Sequence, residues 1–296
     1  MHKGSSRQSG IRPTLSSTAS ILLSSFLFLT LLFIAPEARA AGQCANTSYG
    51  DGVTCIQGTG AQARTGQTQV SVTLNTTQNH AVIATGYTCF TDTHNDCQNN
   101  GSTTLSIGDN KNPTEGCFKA SPHSPFLLKT TDAKPQYLQE YIWVCPTIPT
   151  GVTTFTMTCS TKLACDWMTL NVTEWTGLTT STAPFDVDGF STPAAGTSAS
   201  VSATTTKNHE LMLTFGDMTA DQWDCPVAPY QAPEECCGTV YGGNINTANT
   251  TGLNKGTQTA TITWANEVQC LGGTNEVGSS SSSFWVMAGI KTPSSQ

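Results

Sequence analysis

The chain is 296 residues long, with 11% charged and 37% hydrophobic residues, 26 glycines and 12 cysteines. That mix has too many regularly spaced apolar residues for a disordered chain, and too few Leu, Ala, Glu and Lys for a helical one. Four of the 13 basic residues and one of the 20 acidic ones fall in the first 40 positions, so residues 41–296 hold 9 and 19, a net charge of −10, which leaves no basic footprint for a nucleic-acid partner.

Lys3, Arg7 and Arg12 precede an apolar run from Ile21 to Ala35, and Ala38-Arg39-Ala40 has the small-x-small form of a signal cleavage site. The run is 15 residues long and interrupted by two serines, short of the roughly 20 that a spanning helix needs. The expectation is a signal peptide over residues 1–40, a mature chain beginning at Ala41, and a single domain over 41–296. That domain is expected to be secreted, periplasmic or on the cell surface, and no later stretch is long and apolar enough to span a membrane.

From Ala41 onward the chain reads as short strands separated by turn chemistry. A first run lies near Val53 to Ile56, and Val70, Val72 and Leu74 then alternate with Ser and Thr. Ala81 to Ala84 is continuously apolar, and Tyr137 to Val144 forms another strand-like run. Val152, Phe155, Met157 and Cys159 alternate after one irregular step, as do Met168, Leu170 and Val172, then Ala199, Val201 and Ala203. Leu211 to Phe215 is continuous, Ala260, Ile262 and Trp264 alternate, and Phe284 to Ile290 is continuous again. Alternation with Thr on the opposite face predicts strands with one face in a core and one in water, and the continuous runs predict central strands or strands covered on both faces. No 3.6-residue period is sustained. The predicted fold is all-β, an antiparallel two-sheet β-sandwich of about ten strands, jelly-roll or immunoglobulin-like and disulfide-bearing.

Gly108 to Asn112 and Pro149-Thr150-Gly151 mark tight reversals, the second read as a hairpin. Gly189 to Gly196 reads as a looser connection, and Ser279 to Ser283 as a flexible loop before the last strand. Pro113 to Pro135 and Asp217 to Thr247 lack strand character, and the second holds three cysteines, which argues for an ordered, Cys-rich irregular loop. No internal repeat is evident.

Strand 81–88, the SIGDN turn at 106–110, TLNVTEWTGL at 169–178 with APFDV at 183–187, ELMLTFG at 210–216 and FWVMAGIK at 284–291 follow one order along the chain. In that order they resemble a widespread family of exported bacterial β-sandwich domains, jelly-roll or immunoglobulin-like modules similar to carbohydrate-binding domains. The resemblance spans most of residues 41–296 and carries no catalytic signature. It implies a glycan or cell-surface component as partner. The twelve cysteines and the 217–247 loop depart from the family's pattern.

All twelve cysteines follow the signal: Cys44, Cys55, Cys89, Cys97, Cys117, Cys145, Cys159, Cys165, Cys225, Cys236, Cys237 and Cys270. An even count in an exported chain reads as up to six disulfides, and the absence of a C-x2-C pair disfavours zinc. Closeness along the chain suggests Cys44 to Cys55, Cys89 to Cys97 and Cys159 to Cys165 as local staples. The neighbours Cys236 and Cys237 would each need a distant partner, with Cys225 and Cys270 the nearest candidates.

No G-x-S-x-G, H-E-x-x-H or phosphate-binding glycine loop occurs, and no cofactor is implied. His80 and His209 sit in the contexts NHAVIA and NHELML, where a solvated strand-end histidine is the plain reading. Asp92, His94 and Asp96 could ligate a divalent cation, although a polar loop is favoured, and Asp186-Val187-Asp188-Gly189 reads as a turn rather than a calcium loop. Carboxylates for a hydrolase would come from Glu140, Glu174, Glu210, Asp217 or Glu234-Glu235. Glu174 falls in phase with Met168, Leu170 and Val172, which would point it inward as a buried acid, but the favoured reading is that the strand bulges at Thr173 or leaves the core there. Trp143, Trp167 and Trp175 fit core positions, whereas Trp223, Tyr230 and Tyr241 lie in the Cys-rich region, where aromatic rings on braced loops can stack on sugars. These three are the candidate ligand-binding residues. N-x-S/T acceptors stand at Asn46, Asn75, Asn100, Asn171 and Asn249. The leading expectation is a non-enzymatic module that binds a polysaccharide or cell-surface component or serves as a structural surface domain. The alternatives are a carboxylate-dependent polysaccharide hydrolase and a self-assembling adhesive protein.

Overall fold

The computed structural model describes residues 46–63, 67–77, 80–90, 105–111, 117–119, 126–129, 135–148, 150–159, 167–191, 194–196, 198–218, 223–226, 246–265 and 281–295. Among these, every regular element is a strand and every pairing is antiparallel. The strands are β1 (Thr47–Gly50), β2 (Val53–Ala63), β3 (Gln69–Thr76), β4 (Ala81–Phe90), β5 (Leu105–Asp109), β6 (Phe118–Lys119), β7 (Phe126–Lys129), β8 (Pro135–Cys145) and β9 (Gly151–Cys159). They continue as β10 (Trp167–Thr176), β11 (Phe185–Phe190), β12 (Ala194–Gly196), β13 (Ser198–Thr205), β14 (Leu211–Met218), β15 (Trp223–Pro226), β16 (Asn246–Thr250), β17 (Gly256–Ala265) and β18 (Ser281–Ile290).

The all-β class is as the alternation predicts, but the architecture is richer than two sheets of about ten strands. Among the described residues eighteen strands form four sheets. The first inner sheet runs β1-β2-β10-β4-β8-β6, with β7 also on β8, and the first outer sheet runs β3-β9-β5. The second inner sheet runs β11-β18-β14-β16, with β12 on β18, and the second outer sheet runs β13-β17-β15.

Three cores fill the spaces between these sheets. Ile83, Tyr87 and Trp175 of the first inner sheet pack on Leu211, Phe215 and Ile290 of the second. The other face of the first inner sheet, with Trp143, Leu170 and Val172, meets Val72, Phe155 and Met157 of its outer sheet. The other face of the second, with Met212, Trp285 and Met287, meets Val201, Ala260 and Ile262. Each inner sheet is therefore covered on both sides, which explains the continuous apolar runs in β4, β14 and β18. All three are flanked by strands on both edges, as predicted for central strands. Each fully buried Leu, Ile, Val or Phe contributes about 1.5–3 kcal/mol.

The same seven-strand order occurs twice, which corrects the reading that no repeat exists. In the first half β2-β10-β4-β8 lies under β3-β9-β5, and in the second β11-β18-β14-β16 lies under β13-β17-β15. Register agrees as well: Thr76 pairs with Gly151 and Val72 with Phe155, while Thr205 pairs with Gly256 and Val201 with Ala260. Even the irregularities match. β2 skips one residue, Ile56, between the partners of Glu174 and Trp175, and β11 skips Asp186 between the partners of Gly289 and Ile290. The repeat escapes sequence inspection because it is one of topology and register, with little shared beyond Thr-Thr and Asn-His ahead of the inner strand.

The seven repeated strands of each half alternate between inner and outer sheet, so their connections are arches between layers. Pro149-Thr150-Gly151 is one of them: β8 belongs to the inner sheet and β9 to the outer, so the expected hairpin is absent. A true hairpin does occur at Asp51-Gly52, whose φ values of 50° and 77° suit a type I′ turn. The loops read as irregular contain strands too, β6 and β7 in the first and β15 and β16 in or beside the second, and Ala194–Gly196 of the looser connection is β12. Ser281 to Ser283 belongs to β18 rather than to a loop.

Cys117 and Cys145 form a disulfide across 28 residues, a link not among the expected staples, and it ties β6 to the end of β8. A loop of that length corresponds to about 3–4 kcal/mol of chain-entropy stabilisation. Cys55 and Cys159 are also disulfide-bonded. Cys44, Cys97, Cys165, Cys236, Cys237 and Cys270 lie outside the described residues.

Gly189 sets the spacing between β11 and β13. A Cβ there would stand under 3.0 Å from the Ser202 carbonyl, closer than real Cβ atoms come. Gly189→Ala is expected to lower the unfolding midpoint in urea and to cost about 1–3 kcal/mol. An unchanged midpoint would mean that the two layers part without resistance.

Candidate functional site

Five of the acidic and imidazole residues singled out in the sequence, His80, Glu174, Asp186, His209 and Glu210, lie where β4, β11 and β14 begin and β10 finishes, whereas Asp217 lies at the far end of β14. Glu174 is fully buried, which corrects the favoured reading that β10 bulges at Thr173 or leaves the core there. The irregularity at this point is the extra residue Ile56 of β2, opposite the Glu174–Trp175 step, so β10 itself keeps its phase through the carboxylate. Its Oε1 accepts from the Thr77 backbone N–H and from His80 Nδ1, both at 2.7 Å, and its Oε2 accepts from Gln57 Nε2. Gln57 Nε2 also donates to the Asn75 carbonyl at 2.7 Å. His80 is thus held by a carboxylate with about 22% of its side chain exposed, which corrects its reading as a solvated strand-end residue. The Glu174 carboxylate closes the β3–β4 arch against β10.

The second half solves the same problem with different residues. Thr206, at the position of Thr77, donates its N–H to Asp186 Oδ2 at 2.6 Å and its hydroxyl to Asp186 Oδ1 at 2.5 Å. The Asp186-Val187-Asp188-Gly189 stretch is strand β11 rather than the turn that its composition suggests, and the bulge aims Asp186 at the β13–β14 arch. Where β10 carries Glu174, β18 carries Gly289, and Glu210 Oε2 lies 2.8 Å from the place a Gly289 Cβ would take. Burial first, and the negative charge of Asp186 second, push the Glu210 carboxyl up to about 8, against the opposing pull of Lys291 and Lys207.

A third polar link joins the halves. His209 Nδ1 lies 3.2 Å from Asp51 Oδ2, His209 N–H donates to the Leu253 carbonyl at 2.8 Å, and the Thr292 hydroxyl donates to the His209 carbonyl at 2.8 Å. His209 is thus a solvated strand-end residue as expected, with about 42% of its side chain exposed, that also serves as a junction, and it adopts a left-handed φ of 56°.

Elsewhere the candidates separate. Glu140 is buried in β8. Trp143 and Trp175 are core residues as expected, 2% and 1% exposed. Trp223 opens β15, an edge strand of the second outer sheet, opposite Ala265. Its placement on a strand corrects the reading of a loop residue. Tyr230, Tyr241, Asp92, His94, Asp96 and Glu234-Glu235 lie outside the described residues. Asn171 is 3% exposed in β10, which removes it as a glycan acceptor in the folded chain, whereas Asn75 is exposed on β3. Among the described residues no group of three or more His, Cys, Asp or Glu side chains is placed to hold a metal ion.

The outward faces of both outer sheets carry uncharged hydroxyls in cross-strand pairs. Ser71 meets Thr156 at 2.8 Å and Thr73 meets Thr154 at 3.0 Å in the first. In the second, Ser200 meets Thr261 at 2.9 Å, Ser202 meets Thr259 at 2.8 Å and Thr204 meets Thr257 at 3.0 Å.

No protein-family model, curated protein or solved structure matches the chain. The site must therefore be read from its own chemistry. Glu174 is sealed from solvent and accepts from three donors of its own chain, two on Oε1 and one on Oε2. The chemistry legible at this end of the molecule is that of locks between layers. The partner of Glu174 could not be found in sequence, because His80 is 94 residues away.

Proposed function

We propose that the mature chain is a secreted, non-enzymatic surface module that binds a polysaccharide or a polysaccharide-bearing cell surface. It is built from two jelly-roll-like sandwiches back to back and braced by disulfides. The observation that carries the non-enzymatic part is Glu174: the most enzyme-like carboxyl of the sequence is fully buried and engaged by three donors of its own chain, Thr77, His80 and Gln57. The binding part is supported by the cross-strand hydroxyl pairs on the outer faces and by Trp223 on the edge strand of the second outer sheet. The strand and turn patterns similar to exported carbohydrate-binding modules point the same way.

The experiment is co-sedimentation of the exported protein with cellulose, chitin and peptidoglycan, alongside a reducing-end assay on each. The expected result is pelleting with at least one polymer, no release of reducing ends, and about ten-fold weaker binding for Trp223→Ala, the equivalent of about 1.4 kcal/mol. Sugar release that disappears in Glu174→Gln would establish the hydrolase instead. Pelleting without any polymer would indicate self-assembly, and failure to pellet with all three would overturn the proposal.

A further inference from the structure

Glu210 is an acid with an unusual balance of surroundings. It is 2% exposed, and neither carboxyl oxygen is reached by an N–H or O–H donor. Its Oε2 lies over the backbone of Gly289, where any side chain would collide with it. The neighbouring acid, Asp186, already has both oxygens engaged by Thr206. Two ionised carboxylates cannot hydrogen-bond to each other. A single proton on Glu210 supplies the missing hydrogen, satisfies its buried oxygen and turns repulsion into a donor-acceptor pair.

The other charges facing the pair are few. Lys291 follows β18, where its Nζ donates to the Ala183 carbonyl at 3.1 Å, and Lys207 lies in the arch itself. The covering strands β13 and β17, SASVSATT and GTQTATITWA, contribute no titratable group. His209, next in the chain, directs Nδ1 to Asp51. A divalent cation would need several free oxygen ligands, and with Asp186 occupied and two lysines alongside, a proton is the better counter-ion.

We propose that Glu210 and Asp186 share one proton, and that this proton latches the Thr205–His209 arch between the second inner and outer sheets, to be released in alkali. The arch has further reach. Asn208 Oδ1 accepts from the Lys255 N–H at 2.7 Å, and His209 ties to Leu253 and Asp51, so its release loosens the entry to β17 and the link between the halves. The direction follows from linkage. The folded-state value of about 8 stands above the ordinary 4.5, so the native protein holds the extra proton between those limits. Stability falls as pH rises through that window and levels off above it.

The test compares the unfolding equilibrium of the full mature chain from pH 6 to pH 9 with that of Glu210→Gln. In the wild type the unfolding constant is expected to rise roughly thirty-fold or more beyond the change in the variant, which keeps a neutral side chain of the same shape. Amide exchange at Thr206, corrected for intrinsic pH dependence, is expected to accelerate in the wild type alone. Should Glu210→Gln fail to fold, Asp186→Asn and a carbonyl-13C titration of Glu210 decide the matter. Removing the Asp186 charge is expected to move the Glu210 titration to lower pH. Equal pH dependence in wild type and Glu210→Gln, or a Glu210 carboxyl that titrates near 4.5, would overturn the latch.

Discussion

Glu174→Ala is expected to lower the unfolding free energy by about 3–5 kcal/mol, one of the two largest losses foreseen for a single substitution in this chain. The residue is fully buried, and its removal leaves the Thr77 N–H, the His80 ring and the Gln57 amide without their acceptor at once. The cost is the desolvation of donors left unpaired, which exceeds the net value of any one bond. Glu174→Gln keeps one acceptor oxygen for Thr77 and His80, and the Gln57 amide can rotate its oxygen toward the new NH2 at the expense of its bond to Asn75. A loss of about 1–2 kcal/mol is therefore expected. Urea denaturation of both variants gives the two numbers, and a double-mutant cycle with His80→Ala isolates the pairwise coupling. A Glu174→Ala protein within about 0.5 kcal/mol of wild type would remove the carboxylate from its role as a lock.

The same comparison bears on function. A catalytic carboxyl is commonly tolerated or even destabilising in the folded enzyme, because it is held in surroundings that suit the reaction better than the fold. A lock behaves oppositely, and Glu174 is expected to behave as a lock. Its counterpart in the second half is divided between Asp186, which holds the arch, and Glu210, which fills the space over Gly289. The repeated fold thus has one lock made of a carboxylate and a histidine and another made of two carboxyls and a proton. Duplicated topology with diverged locks gives the two halves different responses to pH.

How much of this could be read in the sequence depends on the range of the interaction. Alternation in β3, β9 and β13 identifies strands because each has one face in a core and a hydroxyl face in water, and the burial of Val70, Val72 and Leu74 against exposed Ser71 and Thr73 follows it residue by residue. Continuous runs in β4, β14 and β18 signal double coverage, which is correct, but a run cannot say that the second cover is another half of the same chain. The phase of Glu174 with Met168, Leu170 and Val172 was legible because it is local, but its burial was not, since a bulge at Thr173 or an exit from the core fits the same residues. His80, Gln57 and Thr77 were not, because arches bring them in from distant strands. Asp186 was misread for a physical reason: Asp-Val-Asp-Gly has the composition of a turn, and only the bulge in register against β18 shows that a strand can use those residues. Pro149-Thr150-Gly151 was misread similarly, since turn chemistry is the same whether a chain folds back in one sheet or crosses to another.

Gly177→Ala is expected to cost about 3–5 kcal/mol, through two effects that a control can separate. Gly177 follows β10 with a φ of 76°, a left-handed conformation that costs a residue with a Cβ about 1 kcal/mol or somewhat more. In addition, a Cβ there would stand under 3.0 Å from Gly52 O, Gly52 C and Val53 Cα, all backbone atoms of the β1–β2 hairpin. Backbone cannot rotate aside as a side chain can, so the hairpin itself would have to move. Its movement would disturb the Tyr49–Trp175 ring pair, whose centroids are 5.2 Å apart in the central core. Gly252 provides the control, because it has the same φ of 76° and its Cβ would meet only Asp51 Oδ2 at 3.6 Å. Gly252→Ala should therefore report the conformational cost alone, about 1 kcal/mol, and the excess in Gly177→Ala measures how rigidly the hairpin is held against the end of β10. Urea midpoints for the two variants give that difference directly, and equal losses would mean that the hairpin yields freely and does not anchor the central core.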